Sequence, residues 1–287
     1  MYFGIDVPTC GEFADPRVLA DLARDAERSG WDGFFLYDQV APERPLPLAD
    51  PWIALAVVAL ATTRLRLGTL VTPLPRRRPW KVARETVTLD RLSGGRLILG
   101  VGLGISPEEF DDLGEEPNLR VRADMLDEAL EVLTGLWTAE QFSHDGPHYR
   151  VRGAQFLPPP LQSPRIPIWV GGTWPTRAPF RRAARWDGIF PHFRSEAGGG
   201  ALVPPDVFRQ MLAYVRTQRD KDMPFDVVLR GATPGEDAQR AAAIIAPYAD
   251  AGLTWWLEGL EGGRDLEAIR ARILQGPPAR QSIQPVL

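Results

Sequence analysis

Four clusters of glycine and threonine carry the chemistry that this sequence offers: Gly68-Thr69-Leu70-Val71-Thr72-Pro73, Gly100-Val101-Gly102-Leu103-Gly104, Gly171-Gly172-Thr173 and Gly231-Ala232-Thr233. Each ends or follows a short apolar run of strand length. Glycine permits close approach of backbone to a ligand, and the start of a following helix presents free N–H groups to a phosphate. Four such clusters on one rim describe a cavity for a flat, phosphorylated molecule. Any one of them alone is equally the glycine of a tight turn.

Other chemistries lack their residues. A metal-dependent hydrolase needs several histidine and carboxylate ligands, but the three histidines are His144, His148 and His192, the first two in an irregular stretch, so no metal site is expected. Schiff-base chemistry needs a lysine at a strand end, but Lys81 starts one helix and Lys221 ends another. A retaining glycosidase needs two carboxyls roughly 5 Å apart; by position only Asp38 and Glu258 qualify, and the fourth strand ends in glycines, so this chemistry is not expected. The net charge of −4, with acids and bases interleaved, provides no field for nucleic acid. The single cysteine, Cys10, and a start at Met1 that runs directly into a strand point to a cytoplasmic protein. The longest apolar run, Trp52 to Ala61, is short of the roughly 20 residues of a membrane helix, so no membrane span is expected.

The elements that position the clusters recur as strand-helix rounds. Tyr2 to Val7 reads as a strand, and Asp15 caps a helix with Pro16 at its first position and Val18, Leu19, Leu22 and Ala26 at helical spacing up to Gly30. Gly33 to Tyr37 is an apolar run without alternation, as in a strand covered on both faces. Asp50 and Pro51 open a helix through Ala61. Strands at Leu65 to Val71 and Leu97 to Val101 then flank another helix. A helix from about Leu119 to Trp137 turns Leu126, Leu130, Leu133 and Trp137 inward and Arg120, Arg122, Asp124, Asp127, Glu128 and Glu131 to solvent. An irregular insertion at 139–166 offers short strands at His148 to Val151 and Ala154 to Leu157, then a stiff Pro158-Pro159-Pro160 spacer. Strands follow at Ile166 to Val170, Gly188 to Pro191, Phe225 to Leu229 and Leu253 to Leu257. The helices between and after them are Arg177 to Arg185, Pro204 to Asp222, Glu236 to Ala251 and Asp265 to Leu274. A mobile candidate lies at Arg194 to Val203, and 277–287 reads as a frayed tail. Eight rounds imply one α/β domain over 1–287, a (β/α)8 TIM barrel whose insertion separates the fourth helix from the fifth strand and whose sites lie past the C-terminal strand ends.

At this point the sequence resembles the bacterial-luciferase-like family of flavin- and deazaflavin-dependent oxidoreductases. The resemblance rests on Arg66-Leu67-Gly68-Thr69 with Val71-Thr72, on Leu89-Asp90-Arg91-Leu92-Ser93-Gly94-Gly95-Arg96, on Gly100-Val101-Gly102 with Gly104, and on Pro167-Ile168-Trp169-Val170-Gly171-Gly172. It implies a barrel with its cofactor at the C-terminal mouth. It also implies a non-proline cis peptide at Leu70-Val71 behind the ring, with Thr72 adjoining, and Gly102, Gly104 and Ile105 at the ring's side. Gly171, Gly172 and Thr173 would meet the ribityl chain and phosphate, assisted by Arg177, or else by His192 and Arg194 in the deazaflavin manner.

The resemblance departs at one point. Many deazaflavin members carry Asp-His where this chain has Asp38-Gln39, and glutamine cannot act as a base near neutral pH. The catalytic group is therefore open, with Asp38, Gln39, His192 and Glu258 as candidates. Arg76-Arg77-Arg78 has the look of a phosphate clamp but reads as a solvated turn, and at least one of Trp174, Phe193, Trp255 and Trp256 is expected in the pocket. The leading expectation is a monooxygenase that uses reduced FMN, supplied by a separate reductase, to oxidise a small organic substrate. Its alternatives are hydride transfer with the deazaflavin coenzyme F420, and a barrel that binds a flavin or other ligand without turnover. The resemblance also implies a homodimer through the helices near Trp52 to Ala61.

Overall fold

A computed structural model describes residues 1–41, 45–104, 107–193, 202–219, 223–260 and 265–278. The strands β1 (Tyr2–Val7), β2 (Gly33–Leu36), β3 (Arg66–Pro73), β4 (Leu97–Gly102), β7 (Ile168–Trp174), β8 (Gly188–Phe193), β9 (Asp226–Gly231) and β10 (Trp255–Gly259) close a parallel barrel in that order. Around it lie α1 (Pro16–Arg28), α2 (Pro51–Ala61), α3 (Pro79–Leu92), the short α4 (Pro107–Asp111), α5 (Leu119–Trp137), α6 (Arg177–Ala183), α7 (Pro205–Thr217), α8 (Ala238–Ala249) and α9 (Leu266–Leu274). The architecture is the expected (β/α)8 TIM barrel. Among the described residues no helix is long and apolar enough to cross a membrane.

Local chemistry starts most helices. Asp15, Asp50, Asp237 and Asp265 each accept a backbone N–H from the first turn, and Pro16 and Pro51 occupy the first helical position. The strands are apolar on both faces for different reasons. Phe3, Ile5 and Val7 pack outward beneath the helices with Leu19 and Leu22, while Phe35, Leu70, Ile98, Trp169, Phe190, Val228, Trp255 and Leu257 fill the lumen. The lower barrel is thus a packed core and only its upper end is open to a ligand.

Several boundaries differ from the sequence reading. β3, β4, β7 and β8 continue past Val71, Val101, Val170 and Pro191, because ladder pairing carries on through the glycines: Gly171, Gly172 and Thr173 pair with Phe190, Pro191 and His192. The third glycine cluster therefore lies within a strand and not after it. In the insertion, β5 (Phe142–Asp145) and β6 (Arg150–Ala154) form an antiparallel hairpin; His148 falls in its turn, closed by Gly146 N–H to Tyr149 O, and Gln155 to Leu157 leave the ladder. The helix expected from 204 to 222 ends at Thr217.

α5 brings the largest correction. Arg122 and Glu128, expected in solvent, are buried, because α5 packs against more than the barrel. The hairpin covers Glu128, whose carboxylate accepts from the backbone N–H groups of His148 and Tyr149 and bonds His144 Nε2 at 3.0 Å.

A carboxyl sits at the barrel floor. Asp226 accepts from Trp169 Nε1 at 3.1 Å and from Thr254 Oγ1 at 3.0 Å, and burial pushes its pKa up, with those hydrogen bonds offsetting only part of the rise. Its folded pKa thus exceeds its unfolded value of about 3.9, so the fold binds that proton more tightly than the unfolded chain does. The stability this contributes is complete below the unfolded pKa and is lost as pH rises through the folded one. Asp226→Asn, neutral throughout, is expected to gain stability relative to wild type as pH rises above about 4 in urea unfolding. A margin that stays constant with pH would contradict it.

Candidate active site

The upper lumen is shaped by a break in register. Pairing between β3 and β4 shifts between Thr69 and Thr72, and the Leu70-Val71 peptide there is cis, as the resemblance implied. The shift sends two consecutive side chains to the lumen: Leu70 joins the packed core and Val71 rests on it. Val71 lies where its neighbours are bare. A Cβ on Gly102 would stand 2.6 Å from Val71 Cγ2, and one on Gly171 would stand 3.1 Å from Val71 Cγ1. The wall from β3 to β7 is therefore one valine, on β3, lying over two glycines, on β4 and β7.

This alters what the glycine clusters are for. Gly68 and Gly100 allow β3 and β4 to approach each other, since added Cβ atoms would lie 1.9 Å from Ile98 O and 2.1 Å from Thr69 O. Gly172 faces outward, where a Cβ would meet Pro179 of α6 at 2.3 Å, so its side does not face the lumen. Gly104 has φ +83, and a Cβ there would strike the Phe110 ring at 2.4 Å. The close approach inferred from sequence is mostly that of the protein to itself.

Behind the wall runs a polar chain. Thr69 Oγ1 and Thr72 Oγ1 are 2.8 Å apart, and Thr72 Oγ1 donates to Asp38 Oδ2 at 2.8 Å. Asp38, with its side chain wholly buried, also accepts from Arg77 Nη2 at 2.8 and 2.9 Å and from Trp52 Nε1 at 3.2 Å. Asp38 and Thr72 thus support the wall from its far side, and Asp38 leaves the set of acid–base candidates. Gln39 follows, half-buried, its Nε2 donating to Ala41 O at 3.3 Å.

Of the arginine run only Arg78 is exposed as a solvated turn requires. Arg77 holds Asp38, and the Arg76 side chain is only 3% exposed, with Nη1 3.0 Å from Glu109 Oε1 and Nη2 3.1 Å from Glu115 Oε2. Glu109 Oε1 also accepts from Val40 N at 3.1 Å and Ala41 N at 3.0 Å, tying the loop after β2 to α4. Burial alone would raise the Glu109 pKa, but the Ala41 N–H and the Arg76 guanidinium outweigh it and hold the carboxyl below its ordinary range. Arg122 sits 3.8 Å over the same Phe110 ring that Arg76 covers at 4.2 Å, and its Nη1 donates to Leu103 O at 3.0 Å, fixing the chain beside Gly104.

The remaining candidates scatter. Glu258 is buried on the helix side, accepting from Thr233 N at 2.7 Å, Thr233 Oγ1 at 2.8 Å and Trp256 Nε1 at 3.2 Å, with Arg272 Nη2 at 3.4 Å. It is a structural carboxylate and not a group of the mouth. Arg177 stacks on Trp174 and Tyr214, at 4.2 and 4.3 Å, outside the barrel. His192 is exposed beside Thr173, with Phe190 edge-on at 4.9 Å. Ile105 and Arg194 lie outside the described residues. Of the four aromatic candidates, Trp174, Trp256 and Phe193 pack in the layer between barrel and helices, and Trp255 belongs to the lumen floor; none roofs the mouth.

The sequence reading passes over one cluster at the mouth. Arg230 Nε lies 3.1 Å from Asp6 Oδ2, and its Cζ lies 5.6 Å from the centre of the Tyr37 ring. The available signal was a charged residue near the C-terminal end of a strand, Asp6 in β1 and Arg230 in β9.

The fold has counterparts among known proteins. A family model described as luciferase-like monooxygenase matches residues 3–273. The F420-dependent glucose-6-phosphate dehydrogenase of Nakamurella multipartita is 32% identical over 229 residues, which span 72% of this chain and 66% of that protein. Among solved structures, an F420-dependent secondary alcohol dehydrogenase in complex with an F420-acetone adduct superposes with a TM-score of 0.79 at 17% identity, covering 99% of both chains. The monooxygenase RslO1 from Streptomyces bottropensis superposes with a TM-score of 0.72 at 22% identity, covering 95% of this chain and 96% of its own.

Proposed function

The chain belongs to the luciferase-like monooxygenase family, an oxidoreductase family, and from that footing we propose that it seats reduced FMN against the Val71 wall and oxidises a small organic substrate with oxygen. One observation carries the reading: Val71 extends from β3 over Gly102 and Gly171, which leaves a flat, nearly bare face at the open end of a packed lumen. That face fits a planar ring. Val71 and Gly102 would back the ring, Gly104 would flank it, and Thr173 at the end of β7 would hold its phosphorylated chain. When bound, reduced FMN supplies two electrons and the reactivity towards oxygen. The protein's own contribution is to orient ring and substrate and to keep water out, with Glu109 and Arg76 clasping the loops after β2 and β4 over that side.

The end of β2 favours FMN chemistry over alcohol oxidation. Asp38 is fully engaged behind the wall, and Gln39 transfers no proton near neutral pH. A second reading, hydride transfer with F420, is supported by the relative named for that cofactor and by the end-to-end superposition on an F420-dependent enzyme.

Titration of the protein with reduced FMN and with reduced F420, followed by cofactor fluorescence, separates the two. Saturable binding of reduced FMN, with oxygen consumption above that of the free cofactor when substrate candidates are added, is expected. Tight binding of F420 alone would replace the first reading with the second. Background oxygen consumption with every reduced cofactor and substrate would leave a barrel that binds without turnover.

A further inference from the structure

The upper lumen has two unlike halves. Side-chain parity follows from the packed core below: Val228, Leu257 and Phe190 face the lumen, so Arg230, Gly259 and His192, each two residues further on, face it as well. On β1, a Cβ on Gly4 would touch Leu257 and Phe35, which sets Gly4 and then Asp6 inward. One half of the rim therefore carries His192, Arg230, Asp6 and Tyr37. The other half carries Val71, Gly102 and Gly171.

Arg230 lies across its neighbour to reach β1. A Cβ on Gly259 would stand 2.8 Å from Arg230 Nε, so glycine at that position leaves room for the guanidinium to cross β10 and meet Asp6. The two partners differ in exposure, with the Arg230 side chain at 25% and that of Asp6 at 1%. The carboxylate is behind and the cation is in front. A pair of this kind is costly to desolvate, and apolar residues of similar volume commonly serve stability as well or better. Its planar fork of donors is matched to a carboxylate, which it can take with two parallel hydrogen bonds.

We propose that Arg230, oriented by Asp6, anchors the substrate in this mouth and selects substrates that bear a carboxylate. The inference rests on the reading of the mouth as an oxidoreductase site, and it assigns the substrate to the half of the rim opposite the ring wall. Asp6 acts as a positioning residue. Because Asp6 balances the charge of Arg230, recognition comes from directed hydrogen bonds and not from a net positive field.

Benzoate and its neutral counterpart benzamide probe the anchor in the full-length protein, with and without reduced cofactor, by saturation-transfer NMR. Benzoate is expected to bind at least about tenfold more tightly, the scale of a charge-assisted hydrogen bond. Arg230→Met should abolish the preference while reduced-cofactor affinity stays within about twofold of wild type. Arg230→Lys should keep part of it, and Asp6→Asn should shrink the benzoate-to-benzamide ratio without a matching loss of cofactor affinity. In the wild-type protein, benzoate but not benzamide should protect Arg230 from phenylglyoxal, read by peptide mass spectrometry, a measurement that does not depend on any variant folding. Equal binding of the two probes, a preference that survives Arg230→Met, or labelling of Arg230 unaffected by benzoate would overturn the proposal. A benzoate preference in a protein that binds neither reduced cofactor would instead overturn the oxidoreductase reading and leave the anchor standing.

Discussion

Gly100→Ala is expected to prevent the barrel from closing properly, at a cost of about 3 kcal/mol or more in urea unfolding, or as a protein recovered only in insoluble form. The added Cβ would stand 2.1 Å from Thr69 O and 2.9 Å from Leu70 Cδ2. The first contact is with backbone, which cannot rotate away as a side-chain tip can. Relief requires β3 and β4 to separate at the point where their register shifts, and Thr69 Oγ1 donates to Gly100 O at 3.3 Å across the same gap. Gly171→Ala is a graded control. Its nearest contact is 3.1 Å, to the Cγ1 methyl of Val71, so the fold should survive while the wall shifts and reduced-cofactor affinity falls. An unchanged unfolding midpoint for Gly100→Ala would show that the two strands do not approach as described.

Asp38→Ala should be comparably severe. Three donors converge on this one buried carboxylate: the Arg77 guanidinium, the Thr72 hydroxyl and the Trp52 indole. Removing it leaves a mostly buried cation and two buried neutral donors without their acceptor, and the loss of one partner of a buried ion pair costs about 3–5 kcal/mol. Asp38→Asn retains an acceptor for Thr72 and should lose less. Combining Asp38→Ala with Arg77→Met should recover part of the loss, because the stranded charge is gone. Since Thr72 and Thr69 back the bulge, cofactor affinity should fall together with stability. A variant that is as stable as wild type and binds cofactor normally but does not turn over would return Asp38 to a chemical role.

Local sequence determines the barrel and the position of its mouth. The apolar runs at Gly33 to Leu36 and Ile168 to Val170, the caps at Asp15, Asp50 and Asp265, and the prolines at first helical positions act within a few residues, so they can be read without knowing the neighbours. The glycine clusters mark the rim for the same reason. What those glycines accommodate was decided by tertiary structure, because Gly102 and Gly171 meet Val71 only once β3, β4 and β7 lie side by side in shifted register.

Charge shows the same division. Arg76, Arg122 and Glu128 have the local pattern of solvated residues, and a guanidinium or carboxylate on a loop or helix looks the same in sequence whether water or protein covers it. α4 covers the two arginines and the hairpin covers Glu128, and neither contact has a local signature. Asp38 and Glu258 stand at strand ends as catalytic carboxylates would, but their partners arrive from other elements and bind them on the far side of the wall and of β10. Asp6 and Arg230 are the converse case. Each is a charge near the C-terminal end of a strand, and only closure of the barrel, which places β9 and β10 beside β1, turns them into a pair facing the mouth.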